Sequence, residues 1–182
     1  ASNEPGALAL EGQGGQPGWR LMVHEVPVAQ GAMFGDGAPA ALSGAVHEAL
    51  RRNASLFLGT QETNHLLTRA SVDLPDVVKE TLRALPLARV AEILRRLVEE
   101  EVAIRNLRDI LETLSDAAQR EKDVFALTEL VRIGLKRQLC YRYAPAGRLS
   151  ALLIDPSIEE MLRAAVRVNG GVQQLALDPA QT

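Results

Sequence analysis

One cysteine, Cys140, serves the whole 182-residue sequence. No intramolecular disulfide can form, and a cysteine-based metal site has no partner thiol. A reducing compartment fits that usage. A basic surplus is also missing: 20 Lys and Arg stand against 23 Asp and Glu, a formal charge of -3. A dedicated nucleic-acid binder normally carries the opposite balance. No apolar run approaches the ~20 residues that span a bilayer. The opening Ala-Ser-Asn-Glu-Pro-Gly has neither a basic start nor an apolar stretch, so no signal peptide is read there. A first residue of Ala rather than Met leads us to expect a fragment. What is present is an ordinary apolar share of 47%, enough for one domain with a true core or for two small ones.

Residues 1–18 are rich in Gly, Pro and Gln and read as a flexible linker. From Trp19 to Val23 apolar and polar residues alternate, a strand pattern with Trp19, Leu21 and Val23 on one face. The parity changes at Val26 and Val28 around Pro27, as for a hairpin into a short edge strand. Residues 31–40 form a loop of breakers. Helical spacing begins near Ala41 with Leu42, Val46, Ala49 and Leu50. Gly59 can stop that helix and Thr60 can cap the next, with Glu62 in its first turn. Pro75 opens a further helix, and Pro86 interrupts the pattern and starts another.

Residues 82–114 carry the densest signal. Val90, Ile93, Leu94 and Leu97 recur on one side of a helix, while Glu92, Arg95, Arg96 and Glu99 face outward. A second helix repeats the scheme with Leu107, Ile110, Leu111 and Leu114 inside and Arg108, Asp109 and Glu112 outside. The i,i+4 pairs Glu92–Arg96, Arg95–Glu99, Arg105–Asp109 and Arg108–Glu112 would each add only ~0.2–0.5 kcal/mol. Packing of the leucine faces must therefore dominate.

Asp123 is expected to cap one long helix reaching Tyr143. Its apolar positions wrap most of the circumference, which places it at the centre of the helical part. Beyond the turn at 145–147, Leu149–Ile154 reads as a buried strand and Asp155-Pro156 as the start of a helix over 156–168. Asn169-Gly170-Gly171 ends that helix, and Val172–Leu177 reads as another strand. Asp178-Pro179 repeats the junction. The pattern predicts a β-α-β-α unit cut off in its last helix.

Chemistry-bearing residues are sparse. His24, His47 and His65 show no His-x-x-x-His spacing and read as unrelated surface or partly packed imidazoles. Cys140 is expected as a buried thiol rather than a nucleophile, since no base is fixed near it in sequence. Glu99-Glu100-Glu101 reads as a solvated helix end rather than a cation site. Three acids there oppose the helix dipole, which basic groups of another subunit or subdomain could neutralise. Arg132, Lys136, Arg137 and Arg142 spread around the helix with no aromatic ladder, unlike a nucleic-acid stripe. No phosphate-cradling loop, paired catalytic carboxylates or Gly-x-Ser-x-Gly elbow is found. No catalytic, cofactor-binding or metal-ligating residue is assigned.

Several separated blocks carry a family resemblance. Phe57-Leu-Gly-Thr-Gln-Glu-Thr63, Leu85-Pro-Leu87 and Val102-Ala-Ile-Arg-Asn-Leu-Arg-Asp-Ile-Leu-Glu112 resemble the cytoplasmic region of the type III secretion export-gate proteins. Glu121-Lys-Asp-Val-Phe-Ala-Leu-Thr-Glu-Leu-Val-Arg-Ile133, followed by Leu153-Ile-Asp-Pro156, resembles the injectisome branch more than the flagellar one. The likeness runs from about Trp19 to Gln181.

The resemblance implies an inner-membrane protein whose amino-terminal half spans the membrane and whose cytoplasmic half assembles into a nonameric ring. It implies receipt of secretion chaperone–substrate complexes and contact with other export-apparatus and ATPase-stalk proteins. It implies no enzyme activity, cofactor or nucleic acid, and membrane contact only through the missing amino-terminal half. The expected fold is α+β and mostly helical: a strand pair plus helix over 19–59, a helical subdomain over 60–143 that contributes ring contacts, and a truncated β-α-β(α) piece over 149–182. Relatives carry an inserted subdomain where this chain has only the loop near Met33–Pro39, so no chaperone-docking residues are assigned. Arg95, Arg96, Glu100, Arg105, Arg108 and Asp109 are the expected subunit contacts. The alternatives are a helical adaptor binding a single partner without a ring, and a hydrolase using Cys140 or a histidine.

Overall fold

The computed structural model describes residues 7–13, 16–23, 25–32, 38–169 and 172–177. Strands β1 (Ala7–Gln13), β2 (Gln16–Val23) and β3 (Val26–Ala32) form an antiparallel sheet in that order. The expected flexible linker over 1–18 is thus corrected. The Ala7-Leu8-Ala9-Leu10 stretch pairs residue by residue with Met22 to Trp19 of β2, and cross-strand pairing outweighs the Gly- and Gln-rich flanks that dominate the composition.

Trp19, Leu21 and Val23 are buried on one face as their alternation requires, and Trp19 and Leu21 share a small core with Ala49 of α1 (Ala38–Arg52). Glycine is required at position 31, because a Cβ there would stand 2.7 Å from the Trp19 indole Nε1. The loop of breakers expected over 31–40 is shorter at both ends: β3 runs to Ala32 and α1 already begins at Ala38. Pro39 is accepted because it falls in the first helical turn.

A short 3₁₀ helix (Ala54–Phe57) leads into the helical subdomain of α2 (Thr60–Ala70), α3 (Pro75–Ala84), α4 (Leu87–Glu99), α5 (Leu107–Ala117), α6 (Val124–Gly134) and α7 (Lys136–Tyr143). Gly59, not Thr60, is the N-cap of α2, and its N–H donates to the Glu62 carboxylate at 3.0 Å. A second, larger core fills this subdomain, with Leu67, Val90, Ile93, Leu94, Leu97, Ile110, Leu111, Leu114, Leu127 and Val131 essentially sealed from solvent. Each such aliphatic side chain contributes roughly 1.5–3 kcal/mol by burial. The buried Thr81 hydroxyl reaches the Leu111 carbonyl at 3.1 Å and ties α3 to α5.

The leucine faces of α4 and α5 meet partly different neighbours: α4 lies against α2 and α6, and α5 against α3 and α6. One expectation about this subdomain is corrected. The long helix from Asp123 to Tyr143 is broken into α6 and α7 at Leu135. Gly134, at the break, lies so close to α5 that a Cβ would stand 2.6 Å from the Thr113 hydroxyl, and glycine weakens the helix there.

The carboxy-terminal piece departs furthest. Leu149–Ile154 is irregular and exposed, with Leu152 and Leu153 almost fully open to solvent, where a buried strand was expected. A strand needs a neighbour to satisfy its backbone, and none pairs with it among the described residues. Helix α8 (Pro156–Ala165) starts as read, with the Asp155 carboxylate accepting the Ser157 N–H at 2.9 Å. It ends three residues early, because β4 (Val166–Asn169) pairs antiparallel with β5 (Val172–Leu175). Where a β-α-β-α unit was expected, the described residues hold one helix followed by a local hairpin. The junction at Asp178-Pro179 lies outside the described residues. The fold is mostly helical α+β, as expected.

Candidate functional site

Ion pairs from α1, α6 and α7 converge on the end of α4. Helix α4 presents Val90, Ile93, Leu94 and Leu97 to the core, which leaves Glu92, Arg95 and Glu99 facing outward. Its end is a Schellman turn: the Glu101 N–H donates to the Val98 carbonyl at 2.9 Å and the Val102 N–H to the Leu97 carbonyl at 2.8 Å. Glu101 takes the left-handed position with φ 57°, a place that glycine usually fills. Buried Val102 closes the turn against Leu97.

The acidic run Glu99-Glu100-Glu101 is expected as a solvated helix end that basic groups of another subunit or subdomain could neutralise. Two of the three are paired within the chain, Glu101 in part by Arg51 of the sheet–α1 part. Glu100 pairs with Arg132 of α6. Glu101 Oε2 accepts from Arg51 Nη1 of α1 at 2.7 Å and from Arg142 Nη2 of α7 at 3.2 Å, and Arg142 also donates to the Glu101 carbonyl. Arg132 and Arg142 thus serve internal pairs, while Lys136 and Arg137 stay exposed. On α1, Arg51 and Arg52 both donate to Glu48, and these hydrogen bonds hold the Glu48 carboxyl down at about 2. The same contact with Glu48, followed by the charge of Glu101, raises the Arg51 guanidinium above its usual value.

The six residues expected at subunit contacts occupy different settings. Arg95 and Arg105 are exposed and, among the described residues, have no ion-pair partner; Arg105 lies in the turn before the N-cap of α5, so helical pairing with Asp109 is lost. Asp109 instead accepts from the side chain of Asn106, the residue that caps α5. Arg108 pairs with Glu112 at 3.5 Å as its spacing predicts. Arg96 is only part-exposed: it reaches Glu92 at 3.9 Å, and its guanidinium lies 3.8 Å from the Phe125 ring centroid. Its Nε is buried without a hydrogen-bond partner. Glu100 is exposed apart from its pair with Arg132.

Phe125 belongs to a feature the sequence reading missed. The helix from Asp123 is expected at the centre of the helical part, with apolar positions around most of its circumference. Val124, Leu127 and Val131 are buried, but Phe125, Leu130 and Ile133 remain 52%, 37% and 60% exposed. Glu121, Asp123 and Glu129 rim the same face, around a shallow concavity of about 650 Å³ that Phe125, Ala126 and Leu130 floor. The signal was present in the sequence: a helix apolar all round needs cover all round. Periodicity could not say which side the chain itself would cover.

Cys140 is exposed, which corrects its expected burial, because α7 packs through Leu139 and leaves its remaining faces open. His47 and His65 are exposed as read, and His24 lies outside the described residues. Among the described residues no three His, Cys, Asp or Glu side chains come together in a metal-binding group. No helix among them is long and apolar enough to cross a membrane.

The FHIPEP family profile matches residues 28–182. Low calcium response locus protein D of Yersinia pestis is 46% identical over 134 residues, which cover 73% of this chain and 19% of that protein. The hypersensitivity response secretion protein HrcV of Ralstonia nicotianae is 39% identical over 166 residues, covering 91% of this chain and 24% of the relative. The chain therefore spans about a fifth to a quarter of the length of these relatives. Among solved structures, the Chlamydia pneumoniae CdsV and CdsO complex matches at 30% identity with a TM-score of 0.78, covering 89% of this chain and 60% of that one. Nonameric EPEC SctV-C matches at 26% identity with a TM-score of 0.79, covering 92% and 66%.

Proposed function

Because the chain belongs to the FHIPEP family, the export-gate proteins of type III secretion systems, we propose that it forms part of a nonameric cytoplasmic ring below an inner-membrane export channel. The observation that carries this reading is the likeness over 92% of the chain to a protein that is itself nonameric. The ring receives chaperone-bound substrates and passes them to the channel. The amino-terminal half of the full-length protein holds it in the membrane.

Ring closure needs a head-to-tail contact between two different patches of the same chain. The uncovered face of α6, with Phe125 and Leu130 beside Glu121, Asp123 and Glu129 and with Ile133 also exposed, suits one side of such a contact. The exposed Arg95 and Arg105, which have no ion-pair partner among the described residues, suit the other, together with Arg108, Asp109, Arg96 and Glu100. The solved complex of CdsV with CdsO supports a further contact with a protein of the CdsO kind. We read the role as transport rather than catalysis, in line with the family to which the chain belongs.

Sedimentation of a longer cytoplasmic fragment, alone and with Arg105→Glu, tests the ring. A nonamer that the charge reversal weakens is the expected result. A fragment that stays monomeric at high concentration, with no ring in the intact apparatus, would instead establish the single-partner adaptor. Deleting the parent gene should stop export and leave growth intact. Cys140→Ala and His65→Ala should leave export unchanged.

A further inference from the structure

The described residues form two separate hydrophobic cores, one between the β1–β3 sheet and α1, the other inside the helical subdomain. The backbone passes between them through Asn53 and the short 3₁₀ helix, where φ and ψ of Asn53 (-107° and 16°) leave the helical region. A joint of this kind, with no core of its own, leaves the mutual orientation of the two bodies to side-chain contacts across it. One such contact is in place. Glu101 Oε2 receives Arg51 of α1 at 2.7 Å from the amino-terminal body and Arg142 of α7 at 3.2 Å from the helical one.

The local chemistry shows what this position selects. Glu101 is the left-handed residue of the α4 Schellman turn, where glycine would meet the backbone requirement without a side-chain clash. Glutamate is worse for the turn, and what it adds is a carboxylate held rigidly at the helix end. Glu48 in turn holds Arg51 from the α1 side at 3.0 Å, so the guanidinium is fixed between two acids before it reaches across. All three participants are only partly exposed, with side chains 37% to 45% accessible, so the contact is moderately screened and salt can loosen it.

We infer that Glu101 is a positioning residue: it clasps Arg51 and Arg142 together and so sets the orientation of the sheet–α1 body on the helical subdomain. This does not depend on ring assembly and is read in the isolated chain. Without the clasp, each body keeps its own core and stays folded while their mutual orientation spreads over a wider range.

The single exposed cysteine makes the test direct. A spin label on Cys140 is paired with one at Ser43→Cys on α1 to report across the joint. A second pair, Cys140 with Gln119→Cys, reports within the helical subdomain. Distances are measured by pulsed electron resonance on dilute chain. Glu101→Gly, Glu101→Gln and Arg51→Ala should each roughly double the width of the cross-joint distribution and leave the internal pair unchanged. Raising the salt to about 1 M, where screening acts within roughly 3 Å, should broaden the wild-type cross-joint distribution and leave the variants as they are. Identical cross-joint widths in wild type and variants would overturn the inference. So would equal broadening of both pairs, since Glu101 would then hold the helical subdomain together and not orient its neighbour.

Discussion

The guanidinium of Arg96 lies 3.8 Å from the centroid of the Phe125 ring, so the outward side of α4 and the uncovered side of α6 meet at a single stacked pair. A partly exposed stack of this kind is worth ~0.5–1 kcal/mol. Phe125→Ala should therefore cost the isolated chain about 1 kcal/mol in urea unfolding, since the ring is half exposed. Ring formation should fall much more steeply if the α6 face lies between subunits. Comparing the unfolding midpoint with sedimentation of the same variant separates the two effects.

Core substitutions should behave differently. Leu94 is fully buried on α4, between the elements that α4 packs against. Leu94→Ala should destabilise the helical subdomain by about 2–5 kcal/mol, because a cavity adds to the lost transfer energy. The expected observation is a large drop in the denaturant midpoint with an unchanged slope.

The amino-terminal body has its own built-in reporter, since Trp19 is the single tryptophan. Gly31→Ala would push a Cβ to 2.7 Å from the indole Nε1. Relief of that overlap should cost roughly 1–3 kcal/mol. Tryptophan emission should shift to the red as the ring is displaced, while helical circular dichroism from the larger core changes little.

Asp123 caps α6 by accepting the Ala126 N–H at 2.8 Å. Asp123→Ala should cost about 0.5–2 kcal/mol. Asp123→Asn should recover most of it, because the amide oxygen can accept the same bond. Hydrogen exchange of the first turn of α6 is the measurement that distinguishes capping from a general charge effect.

Acid titration should find Glu48 well below the ordinary glutamate range. Its folded value, about 2 against an ordinary 4.5, is depressed by Arg51 and Arg52. The stabilisation is therefore present above pH ~4.5 and is lost as pH falls towards about 2. Asp155 is also lowered, by its hydrogen bonds from the Ser157 hydroxyl and N–H, so the start of α8 should loosen on the acid side of 3.8. Carboxylate carbon shifts followed by NMR would report both, and a Glu48 titrating at its ordinary value would contradict the observed Arg51 and Arg52 contacts.

Much of this molecule was legible before any coordinates. The 3.6-residue spacing of Val90, Ile93, Leu94 and Leu97, and of Ile110, Leu111 and Leu114, named residues that are all fully buried. Alternation at Trp19, Leu21 and Val23 identified the inner face of the sheet, and Asp123 and Asp155 marked true helix starts. Such patterns are local: side chains of one element share a face whatever the rest of the chain does, and a cap acts within one turn.

What escaped the sequence depends on partners far away along the chain. Arg51 and Glu101 are fifty positions apart, and no periodicity links them. The Ala7–Gln13 strand exists through its pairing with β2, and Leu149–Ile154 stays irregular because no strand lies beside it among the described residues. The apolar circumference of α6 was visible in the sequence, but only the packing of α4 and α5 decided that Phe125, Leu130 and Ile133 would be left uncovered. The sequence by itself determined which residues each element must hide; the tertiary structure alone decided against what, because burial is set by the neighbours that the folded chain supplies.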